Sequence, residues 1–272
     1  MLKQAIIPLA GLGTRLLPLS SIMPKELLPI NGKSNLEHIL DECIDAGIEE
    51  FIFIISKKKE NIKKYFFNDQ FYKFILAKKK DKRISDVFKK LQKYQKMIKF
   101  VYQNEPKGTG DAILRCNKFI KESHFLMLFP DDLIIKKNCT KEMIALYKKT
   151  KGSIIATKKV KRLEVSRYGI LSLKDRKKNY FTIKDVVEKP SLKNTPSNYA
   201  IIGRYILPKT IMSKLKNLKP GQGGEIHITD AIKQLIVNGE KFYGNIFKGK
   251  YLDCGTLNGY INSSIQISRE RK

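Results

Sequence analysis

The sequence predicts an α/β fold in which helices flank a mixed, mainly parallel sheet and the second half of the chain adds antiparallel strands. Two patterns support this prediction. Up to residue 160, apolar runs of strand length alternate with segments whose apolar residues recur at helical spacing, which is typical of βαβ units. From about Tyr168, strand-like segments follow one another directly, which indicates antiparallel pairing.

The first half contains several apolar runs of strand length. They lie at residues 4–10, 50–56, 98–103, 125–130 and 153–160. Helices are predicted between these runs, at 110–118, at 140–149 and before Gly47. The apolar face of the helix before Gly47 is formed by Leu36, Ile39, Leu40, Cys43 and Ile44. Ligands of parallel sheets bind beyond the carboxyl ends of the strands, so we expect chemistry just after Ala10, Gln103 and Pro130.

Residues 57–99 form the most basic stretch of the chain. Apolar residues recur there at helical spacing, at Ile84, Val87, Phe88 and Leu91. We interpret the stretch as a solvated amphipathic helical insertion. An RNA-binding arm is the alternative, but no aromatic–basic motif supports it.

The second half contains three further predicted strands and two helices. The strands lie at 168–173, 181–187 and 199–207, and the helices at 229–238 and 256–268. No internal repeat or linker separates them from the first half. We therefore predict one domain spanning residues 1–272, with one half at 1–160 and the other at 161–272.

The net charge of +28 raises the possibility of a nucleic-acid partner. However, only 9 of the 54 basic residues are Arg, the residue suited to bidentate contacts, and the Lys are spread along the chain. We therefore expect no specific nucleic-acid partner. The four cysteines form no C-x-x-C pair, and we find neither a secretory signal nor a membrane span, so a cytoplasmic protein with reduced thiols is predicted.

The sharpest motif is LAGLGTRLLP, at residues 9–18, directly after the first strand. Gly11 and Gly13 permit tight turns that leave backbone N–H groups free to face an anion, and Arg15 adds a positive fork for phosphate oxygens. Leu16 takes the third glycine position of a dinucleotide fingerprint, and no G-K-[ST] follows, so neither standard phosphate loop is present. Alone, the motif is weak evidence for anion binding and favours a structural turn.

A second motif, PKELLP at residues 24–29, follows at a distance that lets Lys25 reach the same pocket. Together with GLGTR and with DAGI at residues 45–48, it resembles the opening of bacterial UTP–glucose-1-phosphate uridylyltransferases, members of the nucleoside-diphospho-sugar pyrophosphorylases. Later segments resemble the same family in order: Gln103 with PKG, FPDD, YG, VEKP, GGEIHITD and LDCGT. The resemblance covers residues 3–266 and implies the Rossmann-like nucleotide-diphospho-sugar transferase fold.

The resemblance also implies roles for individual residues. The implied catalytic residues are Arg15, Lys25 and Lys189; the nucleotide-binding residues are Ala10, Gly11, Gly13, Glu26, Gln103 and Gly108; the sugar-phosphate-binding residues are Gly169, Glu188, Lys189 and Glu225; and the metal ligands are Asp131 and Asp253. Residue chemistry alone leaves simpler alternatives open. An Asp at a strand end, such as Asp131, commonly caps a turn, and a lone Asp before Gly, such as Asp253, is usually part of one. Glu188 and Lys189 also fit an ordinary surface ion pair.

The implied reaction joins UTP to glucose 1-phosphate, giving UDP-glucose and pyrophosphate by a Mg²⁺-assisted in-line displacement. The first half would bind the nucleotide and the second half the sugar phosphate, in a homo-oligomer (dimer or tetramer) as is usual for the family. Two alternatives remain: another sugar-1-phosphate nucleotidyltransferase that uses dTTP or CTP, and a catalytically decayed basic protein that binds nucleic acid.

The chain also departs from the family pattern at several positions. Ser20 and Ser21 stand where Thr-Lys is usual, and Ser34 replaces a proline. At residues 108–111, GTGD replaces G-L-G-H. Because Thr109 and Asp111 border the implied base pocket, these last changes bear on nucleotide preference.

Overall fold

The computed structural model describes residues 2–270. In chain order the strands are β1 (Gln4–Pro8), β2 (Pro29–Ile30), β3 (Lys33–Ser34), β4 (Glu50–Ile55), β5 (Ile98–Tyr102), β6 (His124–Leu128), β7 (Asp132–Ile135), β8 (Ser153–Lys159), β9 (Gly169–Lys174), β10 (Tyr180–Glu188), β11 (Tyr199–Pro208), β12 (Phe242–Ile246) and β13 (Lys250–Asp253). The α-helices are α1 (Asn35–Asp45), α2 (Glu60–Phe66), α3 (Asp69–Lys78), α4 (Lys82–Gln95), α5 (Thr109–Leu114), α6 (Cys139–Thr150), α7 (Ile211–Asn217), α8 (Ile228–Val237) and α9 (Leu257–Arg269).

One mixed sheet of nine strands runs through the described part of the chain. Its strand order is β5-β4-β1-β6-β11-β8-β12-β10-β9. The pairings among β5, β4, β1 and β6 are parallel, as is the pairing of β8 with β12. Strand β11 is antiparallel to β6 and β8, and β10 is antiparallel to β12 and β9. The predicted α/β class, with antiparallel strands added in the second half, is confirmed.

The sheet separates two hydrophobic clusters, one on each face. Side chains of β4 alternate between them: Phe51, Phe53 and Ile55 join one cluster, whereas Ile52 and Ile54 join the other. A strand that is buried on both faces has no polar positions, which explains why this segment is a continuous apolar run. Full burial of each such side chain contributes about 1.5–3 kcal/mol.

The basic segment at 57–99 folds into α2, α3 and α4, as the predicted helical insertion requires. In α4, Phe88 and Leu91 are buried while Val87 is 46% exposed, so the apolar face is narrower than its spacing predicts. Lys59, just before α2, is buried and therefore does not belong to the solvated face. Across residues 2–270, we find no helix that is both long and apolar enough to span a bilayer.

Candidate active site

A cleft of about 690 Å³ opens at the carboxyl ends of β1, β5 and β6. Ala10, Gln103 and Pro130, which follow these strands, all line it. The carboxyl ends of parallel strands meet at one edge of a sheet, and the cleft lies at that edge. All of the site residues implied by the sequence, except Gly13, line this cleft.

The glycine-rich loop forms one wall of the cleft. Gly11 has open space around its α-carbon and lines the cleft, as does Arg15, whose side chain is 63% exposed. Gly13 lies behind this wall with a φ of 70°, in the left-handed region that favours glycine, and precedes the turn formed by Thr14–Leu16. Its carbonyl accepts a hydrogen bond of 2.8 Å from Ser20 Oγ. Ser20, one of the departures from the family pattern, therefore braces the loop.

Lys25 and Asp131 form an ion pair at the bottom of the cleft. Lys25 Nζ donates to Asp131 Oδ2 at 2.6 Å, and Arg15 Nη2 lies 3.9 Å from the same oxygen. Burial alone would raise the pKa of Asp131, but the charge and hydrogen bond of Lys25, with a contribution from Arg15, hold this pKa below its ordinary value. Both implied phosphate-binding cations thus pair with the same implied metal ligand.

Asp131 and Asp253 face the same point across the cleft. A β-carbon added at Gly255 would lie 2.7 Å from Asp131 Oδ2 and 3.1 Å from Asp253 Oδ1. Asp253 Oδ1 accepts the Gly255 N–H at 2.8 Å, and Arg167 Nη2 lies 3.4 Å from Asp253 Oδ2. Only a residue without a side chain fits between the two carboxylates, so Gly255 keeps this space open.

These two carboxylates could hold a divalent metal. Carboxylate oxygens are the hard ligands that Mg²⁺ and Ca²⁺ prefer. Among residues 2–270 there is no group of three or more His, Cys, Asp or Glu arranged to hold an ion. The donor set therefore fits a metal that shares its coordination with substrate phosphates, and it does not fit a closed protein cage.

Asp132 is the next residue along and differs from Asp131 in its environment. Its Oδ1 accepts from Tyr251 Oη at 2.6 Å and its Oδ2 from the Gly203 N–H at 3.2 Å. Burial and the neighbouring charge of Asp131 raise the pKa of Asp132 to about 6. Both Asp132 and Tyr251 line the cleft, although the sequence assigned a role only to Asp131.

Glu26, implied as a nucleotide-binding residue, is held by Lys59. Lys59 Nζ donates to Glu26 Oε1 at 2.7 Å and to Oε2 at 2.9 Å, and both side chains are buried. Burial lowers the pKa of Lys59, although Glu26 opposes this shift. Lys59 could not be assigned from the sequence, because it lies 33 positions from Glu26 within the basic segment.

Gln103 and Gly108, both implied as nucleotide-binding residues, lie together in the lining of the cleft. Gly108 adopts a φ of 93°, and a β-carbon there would lie 2.6 Å from the Ile226 carbonyl oxygen. The Ile226 N–H donates to the Lys107 carbonyl at 3.0 Å, so this loop packs against the segment that carries Glu225. Glycine is required at position 108 both by its conformation and by this close approach.

The implied sugar-phosphate residues meet at the ends of β9 and β10. Gly169 pairs with Glu188 in the strand register, and a β-carbon at Gly169 would lie 3.2 Å from Glu188 Oε2. Lys189 follows with a φ of 42°, and its N–H donates to the Tyr168 carbonyl at 3.1 Å. Its Nζ lies 3.8 Å from Glu188 Oε1. The turn thus directs a carboxylate and an ammonium group into the cleft.

The cleft also contains polar side chains that the sequence did not single out. They include Asp132, Tyr251 and Arg167, and a fourth polar residue, Lys59, pairs with Glu26 from outside the cleft lining. Arg167 directly precedes Tyr168-Gly169, so its position beside a recognised motif was the only available signal. The contacts of the other three join residues that are far apart in the chain.

Comparisons with known proteins agree with this geometry. A family model described as Nucleotidyl transferase matches residues 4–270. The UTP–glucose-1-phosphate uridylyltransferase 1 of Staphylococcus saprophyticus is 37% identical, covering 98% of this chain and 93% of the relative. The UTP–glucose-1-phosphate uridylyltransferase of Bacillus subtilis is 34% identical, covering 99% and 92%.

Solved structures give the same result. The apo form of a UDP-glucose pyrophosphorylase superposes with a TM-score of 0.89 at 34% identity, covering 100% of both chains. A UTP-bound UGPase from Acinetobacter baumannii superposes with a TM-score of 0.88 at 30% identity, covering 99% of this chain and 94% of the other. The chain therefore belongs to the nucleotidyl transferase family and, within it, to the UTP–glucose-1-phosphate uridylyltransferases.

Proposed function

We propose that the protein transfers the uridylyl group of UTP to glucose 1-phosphate, forming UDP-glucose and releasing pyrophosphate. The observation that carries this proposal is one cleft that brings together two phosphate-binding cations, Arg15 and Lys25, and two facing carboxylates, Asp131 and Asp253. The relatives named above share the whole length of the chain, which supports a common reaction.

The cleft draws on both halves of the chain. Its lining includes residues between Pro8 and Asp132 from the first half and residues between Arg167 and Asp253 from the second. We propose that residues 1–160 bind the nucleotide and residues 161–272 bind the sugar phosphate. The two substrates would then meet where the halves face each other.

The proposed reaction is a direct displacement. A phosphate oxygen of glucose 1-phosphate forms a bond to the α-phosphorus of UTP, while the bond from that phosphorus to the bridging oxygen of the β-phosphate breaks and pyrophosphate leaves. Both reactants are anions, so their repulsion and alignment are the main obstacles. Arg15 and Lys25 would contact the leaving phosphates, and Lys189 would hold the attacking phosphate.

We propose Mg²⁺ as the metal, held by Asp131 and Asp253, because its preference for carboxylates and substrate phosphates matches this donor set. When bound, such an ion neutralises phosphate charge that develops in the transition state. The cations that pair with these carboxylates, Lys25 and Arg167, are the ones that we expect to contact phosphate oxygens in the substrate complex.

The test is pyrophosphate release from UTP and glucose 1-phosphate with Mg²⁺, with dTTP, CTP and galactose 1-phosphate assayed in parallel. We expect release with UTP and glucose 1-phosphate to exceed that with every other pair. Preference for another pair would replace the proposed substrates, and folded protein that releases pyrophosphate with none of them would overturn the proposed function.

We also propose that the protein is a homo-oligomer of the reducing cytoplasm. An exposed apolar stripe on α9 supports self-association: Leu257, Ile261 and Ile265 recur every four residues and are 44–49% exposed. The four cysteines are buried free thiols, which suits a reducing compartment. Light scattering after size exclusion tests the assembly; a monomer at micromolar concentration would contradict it.

A further inference from the structure

Both donors of the Gln103 side-chain amide are already bound within the protein. Gln103 follows β5, is 5% exposed, and its own N–H donates to the Ile55 carbonyl at 2.9 Å. Its Nε2 donates to the Gly108 carbonyl at 3.1 Å and to Asp111 Oδ2 at 2.7 Å. Since a primary amide carries two N–H donors, these two contacts use both.

Asp111 and the Gly108 carbonyl together determine which way this amide points, and Asp111 makes the shorter, charged contact. A carboxylate oxygen only accepts hydrogen bonds, so the amide must present nitrogen to it. Asp111 is itself held on α5 by Arg115, whose Nε lies 2.9 Å from Oδ2 and whose Nη2 lies 3.3 Å from Oδ1. Asp111 does not line the cleft, so it acts on a bound base only through Gln103.

The remaining polar atom of the amide, Gln103 Oε1, faces the open cleft. Among the side chains and backbone groups that the structure describes, none donates to it. Although Oε1 has no partner, it is not a buried atom, and Gln103 lines the cleft. Towards a ligand, therefore, the side chain offers an acceptor and no donor.

We propose that Asp111 is a positioning residue that determines base specificity: by fixing the Gln103 amide with Oε1 towards the cleft, it selects pyrimidines that carry a hydrogen on ring nitrogen N3. This inference rests on the proposed function, in which the nucleotide binds at this end of the cleft. Uracil donates from N3, whereas cytosine N3 is an acceptor and in the same pose would oppose Oε1. Thymine also donates from N3, so Asp111 does not separate UTP from dTTP.

The test compares UTP with CTP in wild-type protein and three variants. Asp111→Leu keeps the branched shape but has no acceptor, so only the Gly108 carbonyl still holds the Gln103 amide. Asp111→Asn restores an acceptor oxygen at the same place. Glu105→Ala removes a nearby exposed carboxylate that pairs with Lys107 and does not contact Gln103. Dissociation constants for both nucleotides with Mg²⁺ are measured by calorimetry, beside kcat and KM for UTP and a melting curve.

We expect wild type to prefer UTP, and Asp111→Leu to reduce the CTP-to-UTP ratio of dissociation constants by about tenfold, the effect of losing one hydrogen bond to a charged group. KM for UTP should rise with little change in kcat, while Asp111→Asn and Glu105→Ala keep the wild-type ratio. Equal wild-type affinities, or an unchanged ratio in folded Asp111→Leu, would overturn the inference.

Failure of the proposed function gives a different result. Nucleotide discrimination is measured by binding, so it remains measurable in protein that does not turn over. Selective UTP binding that depends on Asp111, with no pyrophosphate release, would overturn the reaction but support the role of Asp111. Turnover of UTP, with a CTP-to-UTP ratio of dissociation constants that Asp111→Leu leaves unchanged, would support the reaction but overturn the role of Asp111.

Discussion

Lys189 combines an unusual backbone conformation with a half-exposed charged side chain in the cleft, directly after β10. A non-glycine residue with a φ of 42° is uncommon, and such conformations concentrate where the surrounding structure over-determines them. The hydrogen bond from its N–H to the Tyr168 carbonyl maintains this turn. Because the backbone makes the structural contact, the half-exposed side chain is left for a ligand.

We predict that Lys189→Ala lowers kcat/KM for the proposed reaction by roughly a hundredfold, as loss of one preorganised charge does. The measurement is steady-state pyrophosphate release. The control is Lys193→Ala, which removes an equally charged, exposed residue outside the cleft and should leave kcat/KM unchanged. A Lys189→Ala enzyme as active as wild type, with an unchanged melting temperature, would remove Lys189 from the catalytic role.

The site residues that the sequence could identify differ in kind from those it missed. Arg15, Lys25, Asp131 and Asp253 lie within short motifs next to strand ends, where neighbours in sequence signal the role. Their mutual pairing was not predictable, because Lys25 and Asp131 are 106 positions apart. Asp111 stood out only as a departure from a pattern, and its contact with Gln103 became visible through the fold alone.

At the scale of elements, α1 begins with a complete capping box. Ser34 Oγ accepts the Glu37 N–H at 3.2 Å, and Glu37 Oε2 accepts the Ser34 N–H at 3.0 Å. Tyr65 Oη of α2 donates to the same Glu37 oxygen at 2.6 Å. Ser34, noted from the sequence as a substitution for proline, therefore has a definite structural role.

We predict that Ser34→Ala lowers the free energy of unfolding by about 1 kcal/mol, because it leaves one N-terminal amide of α1 without a partner. Urea denaturation followed by circular dichroism measures the change. Ser34→Thr keeps the hydroxyl acceptor and is the matched control. If both variants lose the same amount, the effect comes from packing and the cap is not its source.

Asp41 links α1 to two other elements, and its contacts predict that the stability of the fold falls at acidic pH. Its carboxylate accepts from Lys33 at 2.6 Å, from Lys90 at 3.0 Å and from Tyr94 Oη at 2.5 Å. Burial alone would raise the pKa of Asp41, but these hydrogen bonds hold it below its ordinary value. A lowered pKa in the folded state stabilises the fold above the ordinary pKa, and this stabilisation is lost as the pH falls through the folded value.

We therefore predict that Asp41→Asn is less stable than wild type at pH 7, and that the difference shrinks below about pH 4. Unfolding free energies measured at several pH values test this. Asp175→Asn, in the exposed turn after β9, is the control; Asp175 makes no ion pair with any described residue. A gap between Asp41→Asn and wild type that stays constant down to pH 2 would contradict the linkage.

Elements were predictable in proportion to the regularity of their apolar pattern. Continuous runs such as those of β1, β4 and β6 were located to within a few residues. The short strands β2, β3, β7 and β13 were missed, because two to four residues carry too little periodicity. Strand β12 was missed because Gly244 and Asn245 interrupt it; a β-carbon at Gly244 would lie 2.5 Å from the Phe181 ring, so the packing requires glycine there.

For the whole molecule, the alternating pattern predicted a mainly parallel sheet but not its strand order. Strand β11 lies between β6 and β8, although it follows both in the chain. Such long-range insertion depends on side chains that meet only in the folded state. One of them is Arg204, a charged residue within the otherwise apolar run of β11.

Arg204 is fully buried and joins distant parts of the molecule through Glu42 of α1. Its Nε and Nη2 donate to Glu42 at 3.1 and 2.6 Å, and its Nη1 donates to the Asp132 carbonyl beside the active site. Glu42 also accepts from Thr140 of α6, at 3.1 Å from its N–H and 2.8 Å from its hydroxyl. The guanidinium therefore couples global stability to the position of the loop that carries Asp131.

We predict that Arg204→Met lowers the free energy of unfolding by about 3–5 kcal/mol, since it leaves the Glu42 carboxylate buried without its partner. The double variant Arg204→Met/Glu42→Gln removes that unpaired charge and should regain part of the loss. It should not regain activity, because the Asp132 carbonyl still lacks its donor and the loop is less well held. Urea denaturation and pyrophosphate release on the same preparations separate the two effects.

A double variant that is no more stable than the single one would mean that the charge of Glu42 is not the source of the lost stability. Recovery of both stability and activity in the double variant would mean that the hydrogen bond to the Asp132 carbonyl does not position the active site.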